Sequence, residues 1–590
     1  MDDGSLEAME SETDVQLPGG PRGRRIALAL ALLFGIALIT TQVAAVFTEN
    51  INWDEFALFL RVREGLDQGR IDGGGRPGLV SLMMIPFVRG CQDPIHVARM
   101  ARLGWVAVTL AAFVGLYWLV LTFHRDRRER FGAAALALGA LALVPVVLRF
   151  SVQVRTDQPA LAAGLWGSVL LLASRRRLVL AIPAGLLWAI GYLCTQKLVY
   201  IAGLGALLGL ADLWVRPAPR WRDGVRLLLC LLAYLAVLTA YRPIISLFFK
   251  PPGAPGLAEG LRALDYYRGF FGFRAYKAML VTLLPHIGLG LLAATATCLA
   301  LVRRHPARRA LLAGWAVAAV GVVVGAVHAA AFPYFWMTLG VFPAVVLGIA
   351  WPDLQVMLAP HPLVHRALVP LCVAGMVILG AAAMLDRLRD TQRPQRDSLA
   401  FVGREFPPEA AGFNAEGALF CTRPPKSMPI YLTEQNKRRF FSGNGQKEIA
   451  WFIGELASRP IRYIVSTFAI QDFPIELRKY LFSHYVPYLS HVAVAGVDLR
   501  GPAGQTIVFE VIVSGRYRWR PRHPASATIV VDGNELPPGA TVELALGWHR
   551  LTRTQAIGAG ILAGDFSTEP DPDNGYAPFY SRAALADFGY

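Results

Sequence analysis

The chain is 590 residues long and 54% hydrophobic, more apolar surface than one soluble core of that length can bury, so the surplus faces lipid and a purely soluble protein is excluded. Its 58 Lys and Arg outnumber 42 Asp and Glu, yet the basic residues sit in short clusters between apolar runs. That pattern orients membrane helices, whereas a nucleic-acid footprint would gather on one face.

Residues 1–25 form a polar, acidic tail ending at the Pro18-Gly19-Gly20-Pro21 turn and at Arg22, Arg24 and Arg25, and their composition predicts cytoplasmic disorder. The apolar run at 26–47 is too long for a signal-peptide core and lacks a small-residue cleavage site, so it reads as a retained anchor. Runs of spanning length recur at 26–46, 101–122, 131–149, 159–173, 178–193, 198–214, 226–247, 280–302, 310–330, 335–351 and 367–385. They predict an all-α polytopic membrane domain of about 11 helices over residues 26–385. The connections at 22–25, 124–130, 174–177, 214–226 and 303–309 are basic and alternate along the chain. Placing them in the cytoplasm puts the amino terminus inside, the carboxyl terminus outside, and segments 48–98, 149–158, 195–197, 250–277 and 331–335 on the external face.

From residue 386 the pattern changes. Short apolar runs at 399–402 (LAFV), 418–421 (ALFC) and 463–466 (YIVS) predict strands, and 447–458 predicts a helix, giving an extracytoplasmic α/β region over 386–498. Over 499–590, the segments QTIVFEVIVSG, ATIVVDG and TVELALG, with Asp532-Gly533 as a turn signal, predict an antiparallel, β-sandwich-like module suited to binding or bracing. Cys194, Cys230, Cys298 and Cys372 lie in apolar runs; Cys91 and Cys421 fall outside and are expected to be unpaired thiols, one disulfide between them being the alternative. No metal-ligand spacing occurs, so no cofactor is expected, with a divalent cation left open.

Chemistry concentrates on the external face. Asn52-Trp53-Asp54-Glu55-Phe56 sets two adjacent carboxylates directly after the first apolar run. A carboxylate at a low-dielectric boundary acquires the raised pKa of a general base; the same pair could also cap an interfacial helix anchored by Trp53. Arg76, after three glycines and before Pro77, suits a phosphate or serves as a plain loop cation. Arg155 and Asp157 are costly at their depth unless they pair with each other or hold a ligand. Lys197, Arg268, Arg274 and Lys277 add cations that could each snorkel to headgroups, and His328 and Tyr334 add an aromatic surface that also reads as an interfacial belt.

Together these residues resemble the GT-C glycosyltransferases, integral membrane enzymes that use polyprenyl-phosphate sugars, in particular the branch of protein O-mannosyltransferases and lipid A aminoarabinose transferases. The resemblance covers residues 26–385 and rests on Trp53-Asp54-Glu55, on Arg76-Pro77 where that branch has a Lys-Pro-Pro segment, on Arg155-x-Asp157, and on Phe332-Pro333-Tyr334 leading to Gly340-Val341-Phe342-Pro343. It implies a GT-C-like membrane domain and an inverting transfer of sugar from a polyprenyl-phosphate donor to a lipid, glycan or protein acceptor, on the outer face of a bacterial plasma membrane. By that resemblance Asp54 is the base and Glu55 its neighbour, while Arg76, Arg155 and Lys197 hold the donor phosphate. Asp157 is then an acidic cavity residue, and Arg268, His328 and Tyr334 contact substrate. The chain departs from the pattern where Arg76 replaces lysine and Gly78 a second proline. The alternative is a non-enzymatic exporter or scaffold for envelope lipid or glycan assembly, which calls for paired charges deep in several helices and for internal repeats.

Overall fold

The computed structural model describes residues 21–69, 78–124, 127–142, 145–195, 198–215, 220–246, 337–338, 340–353, 391–414, 417–421, 445–458, 461–465 and 473–571, with isolated positions between 297 and 385. The helical part begins with α1 (Pro21–Thr48), α2 (Trp53–Gln68), α3 (Leu79–Val88) and α4 (Pro94–Leu121). It continues with α5 (Arg127–Ala142), α6 (Pro145–Phe150), α7 (Asp157–Ala173), α8 (Ala181–Cys194), α9 (Leu198–Val215), α10 (Arg220–Ser246) and α11 (Val341–Ile349). The apolar runs from 26–46 to 226–247 are thus helical, the one at 131–149 split between α5 and α6, and 335–351 contains α11. The runs at 280–302, 310–330 and 367–385 lie, isolated positions aside, outside the described residues.

Two features of this helical part depart from soluble packing. Among the described residues, α4 and residues 221–246 of α10 are long and apolar enough to cross a membrane. Large apolar side chains also point outward at helical spacing: Ile36, Ile39, Val43 and Phe47 on α1, and Leu228, Leu231, Leu232 and Leu235 on α10, are all exposed. Inside, helices approach closely at small residues. A Cβ on Gly185 of α8 would collide with the carbonyl oxygen of Cys230 on α10, so only glycine permits that crossing.

The carboxyl-terminal part opens with α12 (Arg393–Glu405), so the strand expected at 399–402 is a helix instead. Its buried face, Gln395, Ser398, Leu399 and Val402, follows helical spacing, and a four-residue apolar run cannot reveal its period. The strand expected at 418–421 is a turn; Ala418, Leu419 and Phe420 are buried without pairing, and Gly417, at φ +76°, lies against Leu60 of α2 where a Cβ would clash. The Phe420 ring sits 6.5 Å from Phe56 and 5.5 Å from Phe59, joining the carboxyl-terminal part to α2 through one continuous apolar core.

The strands are β1 (Gly412–Asn414), β2 (Tyr463–Val465), β3 (Tyr485–Leu489), β4 (Val492–Asp498), β5 (Thr506–Val511), β6 (Gly515–His523), β7 (Ile529–Val531), β8 (Asn534–Leu536), β9 (Thr541–Leu544), β10 (Gly547–Arg553) and β11 (Ala559–Gly564). The helix expected at 447–458 is α13 (Gly445–Ser458), and α14 (Ile475–His484) leads directly into β3. A seven-stranded sheet runs β1-β2-β4-β11-β6-β9 with β3 also on β4, and a four-stranded sheet runs β5-β10-β7-β8. The larger sheet continues across residue 498, with Asp498 opposite Ile561. The two sheets close on Phe509, Val511, Ile529 and Leu551 from one side and on Tyr517, Trp519 and Leu562 from the other, a sandwich core. Asp532 and Gly533 turn the β7–β8 hairpin at φ +51° and +85°, and the Asp532 carboxylate accepts the Arg550 amide at 2.8 Å.

Cys91, between α3 and α4, is joined by a disulfide to Cys421, with Cα atoms 5.4 Å apart, which corrects the expectation of two unpaired thiols. The fold brings together two positions 330 residues apart, a proximity no sequence spacing could show. The bond ties the carboxyl-terminal part to the loop before α4. The Cys91→Ser/Cys421→Ser double variant is therefore expected to lose about 2–5 kcal/mol of stability. Thermal unfolding of the purified protein with and without reductant checks this, and an unchanged midpoint would show that the tether is dispensable.

Candidate active site

The segment between α1 and α2 is the centre of a polar network that also draws on α4, the segment before α7 and the start of α12. α1 ends in carbonyls with no intrahelical partner. Arg102 of α4 donates to Glu49 O at 2.7 Å and to Asn50 O at 2.9 Å. The Gln392 amide, just before α12, donates to Val46 O and Glu49 O, each at 2.8 Å. Gln395 forms a reciprocal pair with the Ile51 backbone, accepting from its N–H at 2.9 Å and donating to its carbonyl at 3.1 Å. The carboxyl-terminal part thus helps, through Gln392 and Gln395, to fix the turn that carries Asp54 and Glu55.

Asn52 opens α2 with a capping box: its side chain accepts the Asp54 amide at 3.0 Å, and Glu55 accepts the Asn52 amide at 2.9 Å. Glu55 is wholly buried and gripped by the Arg102 fork, Nε to Oε1 at 2.9 Å and Nη2 to Oε2 at 2.6 Å, while the Val154 amide donates to Oε1 at 2.9 Å. Burial pushes its pKa up, but the Arg102 charge and these hydrogen bonds outweigh burial and hold it below the ordinary value. A carboxylate so enclosed is a structural anchor, and of the two acids it is the one that fills the capping role.

That anchor places the other acid. Glu55 holds Val154, so the next residue, Arg155, falls beside Asp54, its Nη1 2.8 Å from Oδ2. The Asp54 side chain is 33% exposed, whereas Arg155 is 7% exposed, so the cation is enclosed by protein while the carboxylate keeps access to solvent. Arg155 donates from Nε to Gln153 at 2.9 Å, lies over the Phe150 ring at 4.9 Å, and has its carbonyl held by Trp105 Nε1 at 2.7 Å. Gln153 in turn donates to Glu49 at 3.1 Å, and Gln158 donates to the carbonyl of Phe150 and, at 2.8 Å, to that of Gln153. Arg155 is thus a preset donor fork.

Among the candidate residues, Asp54, Glu55 and Arg155 come together. Arg155 pairs with Asp54, and Asp157 is buried in the first turn of α7, where a helix favours an acid. Arg76, Lys197, Arg268, His328 and Tyr334 lie outside the described residues. Among the described residues, no group of three or more His, Cys, Asp or Glu could share a cation. Sequence reasoning passed over Arg102, Gln153, Gln392 and Gln395. Arg102 carried a signal, an ionisable residue within the apolar run at 101–122, whereas the glutamines carried none.

No protein-family model matches this chain, and no curated protein matches it. Among solved structures it is similar to the crystal structure of ArnT from Cupriavidus metallidurans bound to undecaprenyl phosphate, at 18% identity over 67% of this chain and 84% of that one, with a TM-score of 0.49. A similarity of that size carries no argument about fold or function.

Proposed function

We propose that this chain is a multi-pass membrane glycosyltransferase of the GT-C kind, transferring sugar from a polyprenyl-phosphate donor to a lipid, glycan or protein acceptor on the outer face of a bacterial plasma membrane. The observation that carries the reading is the division of labour between adjacent acids: Glu55 is buried and neutralised by Arg102, while Asp54 stays partly open beside buried Arg155. The outward apolar stripes of α1 and α10 support placement in lipid, and the alternating basic loops support the orientation.

Asp54 takes the proton of the acceptor hydroxyl. The acceptor oxygen then bonds to the anomeric carbon from the face opposite the lipid phosphate, whose bond to that carbon breaks with both electrons leaving on the phosphate oxygen, so configuration inverts. Arg155, already desolvated and aimed, is the cation that receives the growing phosphate charge as it leaves Asp54. Arg76 and Lys197 are assigned to the same phosphate, Asp157 to the cavity, and Arg268, His328 and Tyr334 to substrate, on the sequence resemblance alone.

The test is incubation of the purified wild-type protein with radiolabelled sugars on synthetic polyprenyl phosphates and a bacterial membrane extract. Label is expected to pass from at least one donor into the extract. A folded protein that leaves every donor intact would turn the reading to an exporter or scaffold.

A further inference from the structure

β10 lies between β5 and β7 in the four-stranded sheet, and the two sides of this sheet differ in character. Phe509, Val511 and Leu551 face inward and fill the sandwich core. The outward side presents Trp548, 69% exposed, the most exposed large apolar side chain among the described residues. The register sets Trp548 opposite Glu510, Arg550 opposite Val508 and Thr552 opposite Thr506. The Thr506 and Thr552 hydroxyls meet at 2.9 Å, which fixes both on that outward side, and His484 at the end of α14 holds the Glu510 carboxylate at 3.1 Å.

We propose that this face is a saccharide-binding platform, with the Trp548 indole stacking on the apolar face of one sugar ring, Glu510 and Arg550 hydrogen-bonding its hydroxyls, and the threonine pair, four residues further along β10 at about 3.4 Å per residue, meeting a further ring of the same glycan. A sugar ring offers C–H groups on its faces and hydroxyls around its edge, and the outward side answers with one rigid aromatic ring among donors and acceptors at cross-strand spacing. Other occupants fit less well. Exposed apolar groups here are Trp548, Val508 and Leu546, interrupted by Arg550 and Glu510. Such a mixed surface lacks the apolar, charge-depleted centre of a stable protein interface. The Glu510 carboxylate beside the indole opposes an anionic lipid surface. On the transferase reading the platform grips a glycan acceptor, but the binding itself does not depend on that reading.

The test is calorimetry of the full-length protein in lipid nanodiscs with chitotetraose, mannotetraose and maltotetraose. At least one is expected to bind, Trp548→Ala to weaken it about tenfold or more, and Trp548→Phe to weaken it less. Calorimetry reads binding alone, so its outcome is separate from whether the chain transfers sugar. Absence of binding by all three, or equal binding by Trp548→Ala, overturns the proposal. So does a Trp548→Ala variant whose unfolding temperature or oligomeric state changes, since the indole would then be packed against protein.

Discussion

Replacing Arg102 with alanine is expected to destabilise the protein by about 3–5 kcal/mol, the largest structural effect among single substitutions at this site. The substitution leaves Glu55 wholly buried with its opposing charge gone, and it also strips donors from the carbonyls of Glu49 and Asn50. The deficit depends on pH. In the wild type the Glu55 pKa is held below its ordinary value of 4.5, so the stability it contributes is present above that value and lost as pH falls through the lower folded one. In the variant burial, the largest influence, is opposed only by the Val154 and Asn52 amides, so the pKa rises relative to the wild type and the carboxyl, costly to keep ionised, is relieved by protonation as pH falls. The gap between wild type and Arg102→Ala is therefore expected to narrow as pH falls toward 4.5 and below. Removing both charges in Arg102→Met/Glu55→Gln is expected to restore much of the stability, because a matched neutral pair leaves no buried ion. Unfolding midpoints across pH for the two variants check this, and equal destabilisation at every pH would contradict the ion-pair account.

The Asp54→Asn variant is expected to lose about 100- to 10,000-fold in transfer rate with little change in stability. The side chain is one-third exposed and pairs with a single buried arginine, and the helix cap belongs to Asn52 and Glu55. Asparagine keeps the shape and still accepts a hydrogen bond from Arg155, but it cannot take a proton from a hydroxyl. Adjacent acids are thereby separated by experiment: loss at position 55 or its partner falls on folding, loss at position 54 on turnover.

Much of the helical part was legible because a membrane-length apolar run leaves few alternatives, and α7 to α9 begin within a few residues of the runs that announce them. The carboxyl-terminal part was read less well. β6 escaped although Arg516, Arg518 and Arg520 alternate with Tyr517 and Trp519 at a strand period, because Pro521 interrupts the run and the four arginines have no local partners. Those partners lie far downstream: Asp565 reaches Arg518 at 2.5 Å and Glu569 reaches Arg520 at 3.2 Å. The site divides in the same way. Asp54 and Glu55 were visible as a pair, but which of them is open depends on Arg102, 47 residues away, and on Val154, 99 residues away. Local sequence holds the cap; only the tertiary contacts choose between the acids.

The measurement that reaches the central claim most directly compares wild type and Asp54→Asn in sugar transfer from polyprenyl-phosphate donors, with thermal unfolding recorded on the same preparations. Transfer by the wild type that is abolished in Asp54→Asn at an unchanged unfolding temperature is the predicted result. Equal transfer by both proteins would contradict the assignment of Asp54 as the base.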